Sequence, residues 1–336
     1  MATSFTKVSG RPTWQQTMLR IKDPEKSIPF YTNLMGMTVI DTLDFPQWGF
    51  KLFFLTTLPE GEVYELTPGT QAAHDYMWSI EGTALELTYN YGTEQPSFLG
   101  YHPGNQEKDG FGHVAFNTDD VYAACAKLEA EGVTFKKKPD EGRMKGLAFA
   151  YDPDEYWVEI VKRGEPNKIP NYFNFSQTML RIKDPSKSIP FYEALGMVVL
   201  RQKNYGDFSN YFLASSPNVD PSVDYSSLSD DEAKGKLSNM FGPVLELTHN
   251  HGTENDESFR HYNGNEEGRQ GFGHIGFLVD DVYAACDDIR KMGYGFRKEP
   301  DGGSMKGLAF AYDPDGYSVE IIRRGGIDFG DKKVEE

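Results

Sequence analysis

The chain repeats itself, and that constrains its fold more than any other feature. Thr17 to Tyr31 reads TMLRIKDPEKSIPFY and Thr178 to Tyr192 reads TMLRIKDPSKSIPFY, identical at fourteen of fifteen positions. Met144 to Asp154 (MKGLAFAYDPD) returns unchanged as Met305 to Asp315, and GFGH occurs at 110–113 and again at 271–274. The halves are one unit copied, and a fold must account for that unit twice. At ~150 residues per domain, a chain of 336 residues also gives a prior of two. The expected halves are 1–165 and 166–336, joined by the polar, Pro-containing stretch Arg163 to Asn174.

Offsets between the copies locate the loops. The offset is 161 from Gln16 to Gln177, 160 at Gly36/Gly196, 158 at Leu55/Leu213, 160 again at Glu86/Glu246 and 161 at His113/His274. Insertions thus fall between islands of fixed spacing, as expected when the islands are regular elements and the intervals surface loops. In the first half Gln16 to Ile21 reads as a strand. Asp23-Pro24 then supplies an N-cap and a first-turn proline, and Ile28, Tyr31, Leu34 and Met35 follow at helical spacing up to Gly36. Strand-like runs follow at Met37–Leu43, Phe50–Thr56 and Ala84–Asn90. A second round begins with His113–Asn117, continues with a helix Asp120–Glu131, and ends with runs at Val133–Lys137, Leu147–Tyr151 and Tyr156–Val161. Each half is two βαβββ modules, so the chain is α+β with four. Pro29 and Pro190 fall inside the first helix of each half, where proline removes a donor, so a short or bent helix is expected there.

Thirty-four Lys and Arg against fifty-one Asp and Glu leave a net charge of −17. With a pI near 4.9, the chain should repel nucleic acid and anionic lipid. An anionic ligand would need basic residues of its own. Cys125 and Cys286 are too few for a disulfide framework, no apolar run reaches the ~20 residues of a membrane span, and Met1 to Phe5 shows no cationic-then-apolar leader. A soluble, cytoplasmic protein is expected, without nucleic-acid or membrane partners.

The first and last strands of each module carry a potential metal ligand in an apolar context. These are Gln16, Glu86, His113 and Glu159 in the first half and Gln177, Glu246, His274 and Glu320 in the second. Strand alternation puts Gln16, Met18 and Arg20 on one face, and likewise Glu86, Thr88 and Asn90. If those faces line one concave sheet, an amide oxygen, an imidazole and two carboxylates converge into a set suited to zinc or another divalent first-row metal. A lone Glu between leucines is, by pattern alone, more often the solvent-facing position of a half-exposed strand. Duplication copies structural residues as faithfully as functional ones, so the equivalent placement on terminal strands carries the argument. His249 and His251 correspond to Tyr89 and Tyr91 in the other copy and are secondary candidates. Cys125 and Cys286 read as packing residues, and GFGH is too short for a phosphate loop.

At these motifs the chain resembles the glyoxalase I family, the lactoylglutathione lyases of the vicinal-oxygen-chelate superfamily, in its single-chain duplicated form. The resemblance spans nearly the whole chain twice, through QTMLR, KDP, LELTxNxGTE, GFGH and MKGLAFxxDPDxY. It implies two half-barrel clefts made by pairing modules across the halves, each holding one zinc (or nickel) ion. One site would take Gln16 and Glu86 with His274 and Glu320, and the other Gln177 and Glu246 with His113 and Glu159. Glutathione contacts would fall on Arg20, Asn90 and Lys298 in the first, and on Arg181, Asn250 and Lys137 in the second. The implied substrate is the methylglyoxal–glutathione hemithioacetal, isomerised to S-lactoylglutathione through an enediolate. Glu320 and Glu159 would be the bases, Glu86 and Glu246 their opposite-face partners, and Met305 and Met144 would sit in closing loops. A monomer is implied, because one chain stands in for the usual homodimer.

The chain departs from the family pattern at two places. Asp109 and Gln270 stand where an Arg often precedes GFGH, with Arg269 one residue earlier, and Glu155 replaces the glycine kept as Gly316. Both Asp109 and Glu155 are assigned to the His113/Glu159 site, which is therefore expected to bind glutathione more weakly or to work less well. Two rivals share the fold. A ring-cleaving dioxygenase would want a second His where Gln16 and Gln177 stand, and a non-catalytic binder would not need four convergent ligands.

Overall fold

Each repeat opens with a strand that is buried on both faces, because a helix covers one and a cleft shields the other. The computed structural model describes residues 7–164 and 172–327. In the first module β1 (Thr13–Ile21) leads to α1 (Pro24–Pro29), β2 (Thr38–Phe45), β3 (Phe50–Thr56), α2 (Gln71–Met77) and β4 (Ala84–Asn90). The second comprises β5 (Phe111–Thr118), α3 (Val121–Ala130), β6 (Phe135–Lys137), β7 (Ala148–Tyr151) and β8 (Trp157–Lys162). The third comprises β9 (Asn174–Ile182), α4 (Pro185–Ala194), β10 (Val198–Asn204), β11 (Phe208–Ala214), α5 (Asp230–Ser238) and β12 (Val244–Asn250). The fourth is β13 (Phe272–Val279), α6 (Val282–Lys291), β14 (Phe296–Lys298), β15 (Leu308–Tyr312) and β16 (Ser318–Arg323). The expected boundary at 165/166 lies outside the described residues.

Modules pair across the halves. One eight-stranded sheet runs β14-β15-β16-β13-β1-β4-β3-β2 and joins the fourth module to the first; the other runs β10-β11-β12-β9-β5-β8-β7-β6 and joins the third to the second. The seams are antiparallel, β1 on β13 and β5 on β9, whereas each module's first and last strands lie parallel. One apolar core spans both halves. At its centre the Phe111 and Phe272 rings stack 5.3 Å apart, and the hydroxyls of Thr17 and Thr178 meet at 2.8 Å.

Local chemistry explains the helices. Asp23, Asp120, Asp184 and Asp281 cap the four helices that follow a module's first strand, each accepting a first-turn N–H. After Pro29 the first of these widens into a π-helical turn, Phe30–Leu34, closed by Met35 N–H donating to the Phe30 carbonyl. The first half holds one more residue than the second between Tyr31 and Gly36, and the wider turn absorbs it. In the second half α4 runs through Pro190 without that widening. Helices α2 and α5 fall in intervals read from sequence only as loops. No helix among the described residues is long and apolar enough to cross a membrane.

Candidate metal centres in two clefts

In β4, Leu85 and Leu87 point into the core beneath the helices, while Glu86 and Thr88 face the concave side. The same alternation on the four central strands of one sheet brings Glu320 (β16), His274 (β13), Gln16 (β1) and Glu86 (β4) together. Register fixes the levels. Met18 pairs with both His274 and Glu86, and Gly276 with both Gln16 and Glu320. The Gln16 amide nitrogen lies 2.6 Å from a Glu86 oxygen, 2.7 Å from a Glu320 oxygen and 3.1 Å from His274 Nε2. In the other sheet Gln177 lies 2.7 Å from both Glu159 and Glu246 and 3.2 Å from His113. All eight side chains are buried, Gln16 with 1% and Glu86 with 3% of its surface exposed. The solvent-facing alternative for the strand glutamates therefore fails, because the second face of each strand lines a cleft.

Two carboxylates facing an imidazole in a buried site demand positive charge. Burial pushes the His274 imidazole down, but Glu86 and Glu320 outweigh it and raise it to about 9; His113 reaches about 9 in the same way beside Glu159 and Glu246. In each trio one imidazole nitrogen and two carboxylate oxygens lie within 4.8 Å of one another, close enough to hold a metal ion. The Gln16 amide oxygen is buried without a hydrogen-bond partner. Amide oxygen and nitrogen have nearly the same shape, so a half-turn of that group aims the oxygen into the cluster as a fourth ligand. The mixed N/O donor set fits a divalent cation.

The first cluster floors a cavity of about 540 Å³, cleft one, which is also lined by Arg20, Asn90, Lys298 and Met305. The second floors a cavity of about 500 Å³, cleft two, lined by Arg181, Asn250 and Met144. Arg20 is held by the Phe272 carbonyl at 3.2 Å and Asn265 at 2.9 Å, and Arg181 by the Phe111 carbonyl at 3.1 Å and Asn105 at 2.8 Å. Asn90 donates to the Tyr101 hydroxyl at 2.7 Å. Lys298 lines cleft one and donates to the Leu308 carbonyl at 2.6 Å. Its counterpart Lys137 makes the same bond, donating to the Leu147 carbonyl at 2.6 Å.

Asp109 also lies away from both linings. It is buried at the seam between halves, where it accepts from Arg269 at 2.9 Å and meets His102 at 2.7 Å. Glu155 takes φ +67, matching Gly316 at +86, so the turn keeps its left-handed residue without glycine. His249 and His251 bond Glu254 and Ser209 outside the cleft. Cys125 and Cys286 are buried, with thiols that burial pushes up to about 11 and about 12. Sequence reasoning missed Arg297, whose guanidinium lies 4.3 Å over the Phe310 ring in cleft one, and Arg201 in cleft two.

Comparison with known proteins follows the same division. The chain is similar to a lactoylglutathione lyase of Schizosaccharomyces pombe, 42% identical over 313 residues that cover 92% of this chain and 95% of that one. It is similar to glyoxalase I of Saccharomyces cerevisiae, 39% identical with 96% of each chain covered. The solved structure of glyoxalase I from Zea mays matches 93% of this chain and 92% of its own, with a TM-score of 0.64 at 26% identity. A family model matches once at residues 13–160 and again at 174–321, and by that double match the chain belongs to the Glyoxalase/Bleomycin resistance protein/Dioxygenase superfamily.

Proposed function

We propose that this chain is a lactoylglutathione lyase that isomerises the methylglyoxal–glutathione hemithioacetal to S-lactoylglutathione. The observation that carries the reading is the buried Gln, two Glu and His cluster on the floor of a cleft whose rim carries Arg20 and Lys298. The full-length relatives named for this reaction support it. The division is into halves 1–165 and 166–336, each supplying half of both sites, and the protein works as a cytoplasmic monomer.

Gln16, Glu86, His274 and Glu320 hold one zinc ion, or nickel, and Gln177, Glu246, His113 and Glu159 the other. Such a cation, when bound, supplies positive charge to the two vicinal oxygens of the substrate as negative charge builds there. The chain's own residues do the rest. Arg20, Asn90 and Lys298 hold glutathione in cleft one, and Arg181, Asn250 and Lys137 in cleft two. Glu320, or Glu159 in the other cleft, takes the proton from the carbon bearing sulfur. The proton returns to the neighbouring carbon from the same carboxyl or, after exchange with it, from Glu86 or Glu246 across the cluster, which also serve the hemithioacetal of opposite configuration. Met305 and Met144, in glycine-containing loops over the clefts, exclude water as those loops close.

The test is substitution of the bases. Glu320→Gln should remove most turnover of the methylglyoxal adduct, leaving what cleft two supplies, and Glu320→Gln with Glu159→Gln should abolish it. Intact turnover in the double variant would overturn the assignment.

A further inference from the structure

The clefts are copies of one another, so positions where their linings differ in chemistry show where they have parted. Leu43 pairs with Leu52 across β2 and β3, and at the matching register of β10 and β11 stand Lys203 and Asn210. Two residues earlier, Asp41 pairs with Phe54 in one copy and Arg201 with Phe212 in the other. Asp41 does not line cleft one. It is fully buried and accepts from the backbone of Thr42 and Gly69. Arg201 lines cleft two, with its side chain 11% exposed.

Arg201 is placed to receive a ligand. Its Nε donates to Asp230 at 2.8 Å, at the start of α5, which fixes the fork; neither terminal nitrogen has a hydrogen-bond partner among the described residues. Phe212 pairs in turn with Glu246, so Arg201 stands level with the metal cluster and two strands away, roughly 10 Å between backbones. Lys162 and Lys234 line the same cleft, and among the described residues its acidic lining residues are Glu159 and Glu246. Cleft one presents Leu43, Phe45, Trp48, Leu52 and Trp78 on the corresponding wall.

We infer that cleft two acts on glutathione hemithioacetals of 2-oxoaldehydes that carry an anionic substituent, a carboxylate above all, which Arg201 holds, while cleft one takes alkyl and aryl substituents. The inference rests on the lactoylglutathione lyase reading and adds a division of substrates to it. A guanidinium fork matches a carboxylate bidentately. An apolar wall penalises the same group by stripping its water, so the two clefts discriminate in opposite directions. The reaction is unchanged: one C–H bond breaks, a proton returns to the adjacent carbon, and the carboxylate takes no part.

The experiment uses the full chain with one site silenced, Glu320→Gln leaving cleft two and Glu159→Gln leaving cleft one. The probes are the glutathione adducts of methylglyoxal, phenylglyoxal and dioxopentanoate, a 2-oxoaldehyde ending in a carboxylate. The kcat/KM ratio of dioxopentanoate to phenylglyoxal should be about tenfold or more higher in Glu320→Gln than in Glu159→Gln. Adding Arg201→Leu to Glu320→Gln should erase that preference, mainly through KM for dioxopentanoate. Adding Asp230→Asn, which removes the opposing charge but leaves an amide oxygen to accept from Nε and hold the fork, should retain it. Equal ratios in the two single-site variants, or loss of preference with Asp230→Asn as complete as with Arg201→Leu, would overturn the inference. Failure of the unmodified chain to turn over methylglyoxal would overturn the lyase reading itself.

Discussion

The glycines of GFGH are set by what stands against them. A Cβ on Gly110 would collide with the Tyr317 hydroxyl, which is buried and donates to the Arg181 carbonyl at 2.7 Å. One on Gly271 would collide with the His102 carbonyl, and ones on Gly112 and Gly273 with the thioethers of Met179 and Met18. Backbone and a locked ring cannot yield, whereas a methionine can change rotamer. Gly110→Ala and Gly271→Ala should each destabilise the fold by about 1–3 kcal/mol, and Gly112→Ala by less, read as urea midpoints at constant slope. Equal losses at all three positions would show that backbone freedom, not close approach, selects glycine. Tyr317 also crosses between sites, since it lies three residues from the Glu320 of cleft one and braces the Arg181 of cleft two. Tyr156 mirrors it, donating to the Arg20 carbonyl at 2.9 Å.

The functional unit at the scale of elements is a set of four adjacent strands, β16-β13-β1-β4 in one sheet and β8-β5-β9-β12 in the other. A cation held by one residue from each strand would tie the first half to the second, so its removal should cost global stability. With metal at a hundred times its Kd, that contribution is about 3 kcal/mol per site. Chelation should lower the unfolding temperature, and metal re-addition restore it; an unchanged transition would mean the clusters do not hold metal. Most of these elements were legible in the sequence. β3 and β4 fall at their expected limits, and the candidate ligand positions were marked by polar residues in apolar strands repeated at fixed offset. What escaped was set by tertiary contacts. Helix α2 buries only Ala73 and Met77, too few to give a periodic signal. The π-helical turn is a one-residue insertion, visible as an offset but without a conformation attached to it. Arg201 and Arg297 were missed because a cation on a strand looks like a solvated residue until a cleft forms around it.

Each sheet of the whole molecule takes four strands from each half, so neither half contains a complete site. A polypeptide ending near Glu165 keeps Gln16 with Glu86 on one sheet fragment and His113 with Glu159 on another, and exposes Phe111 and the edges of β1 and β5. As a monomer it should be inactive. Two copies, however, can pair β1 of one with β5 of the other and rebuild both clefts, because the duplicated chain makes that junction with its own second half. Activity of the half should therefore rise with the square of concentration when dilute and track the dimer seen by sedimentation. The full chain should keep constant specific activity on dilution, since covalent linkage replaces association by an effective concentration in the millimolar range. Full activity from a monomeric half would contradict the cross-half pairing of ligands. The duplication that limits the fold also frees the two sites from being identical, which a homodimer's sites must be, and this freedom allows Arg201 and Asp41 to occupy the same place in the two copies.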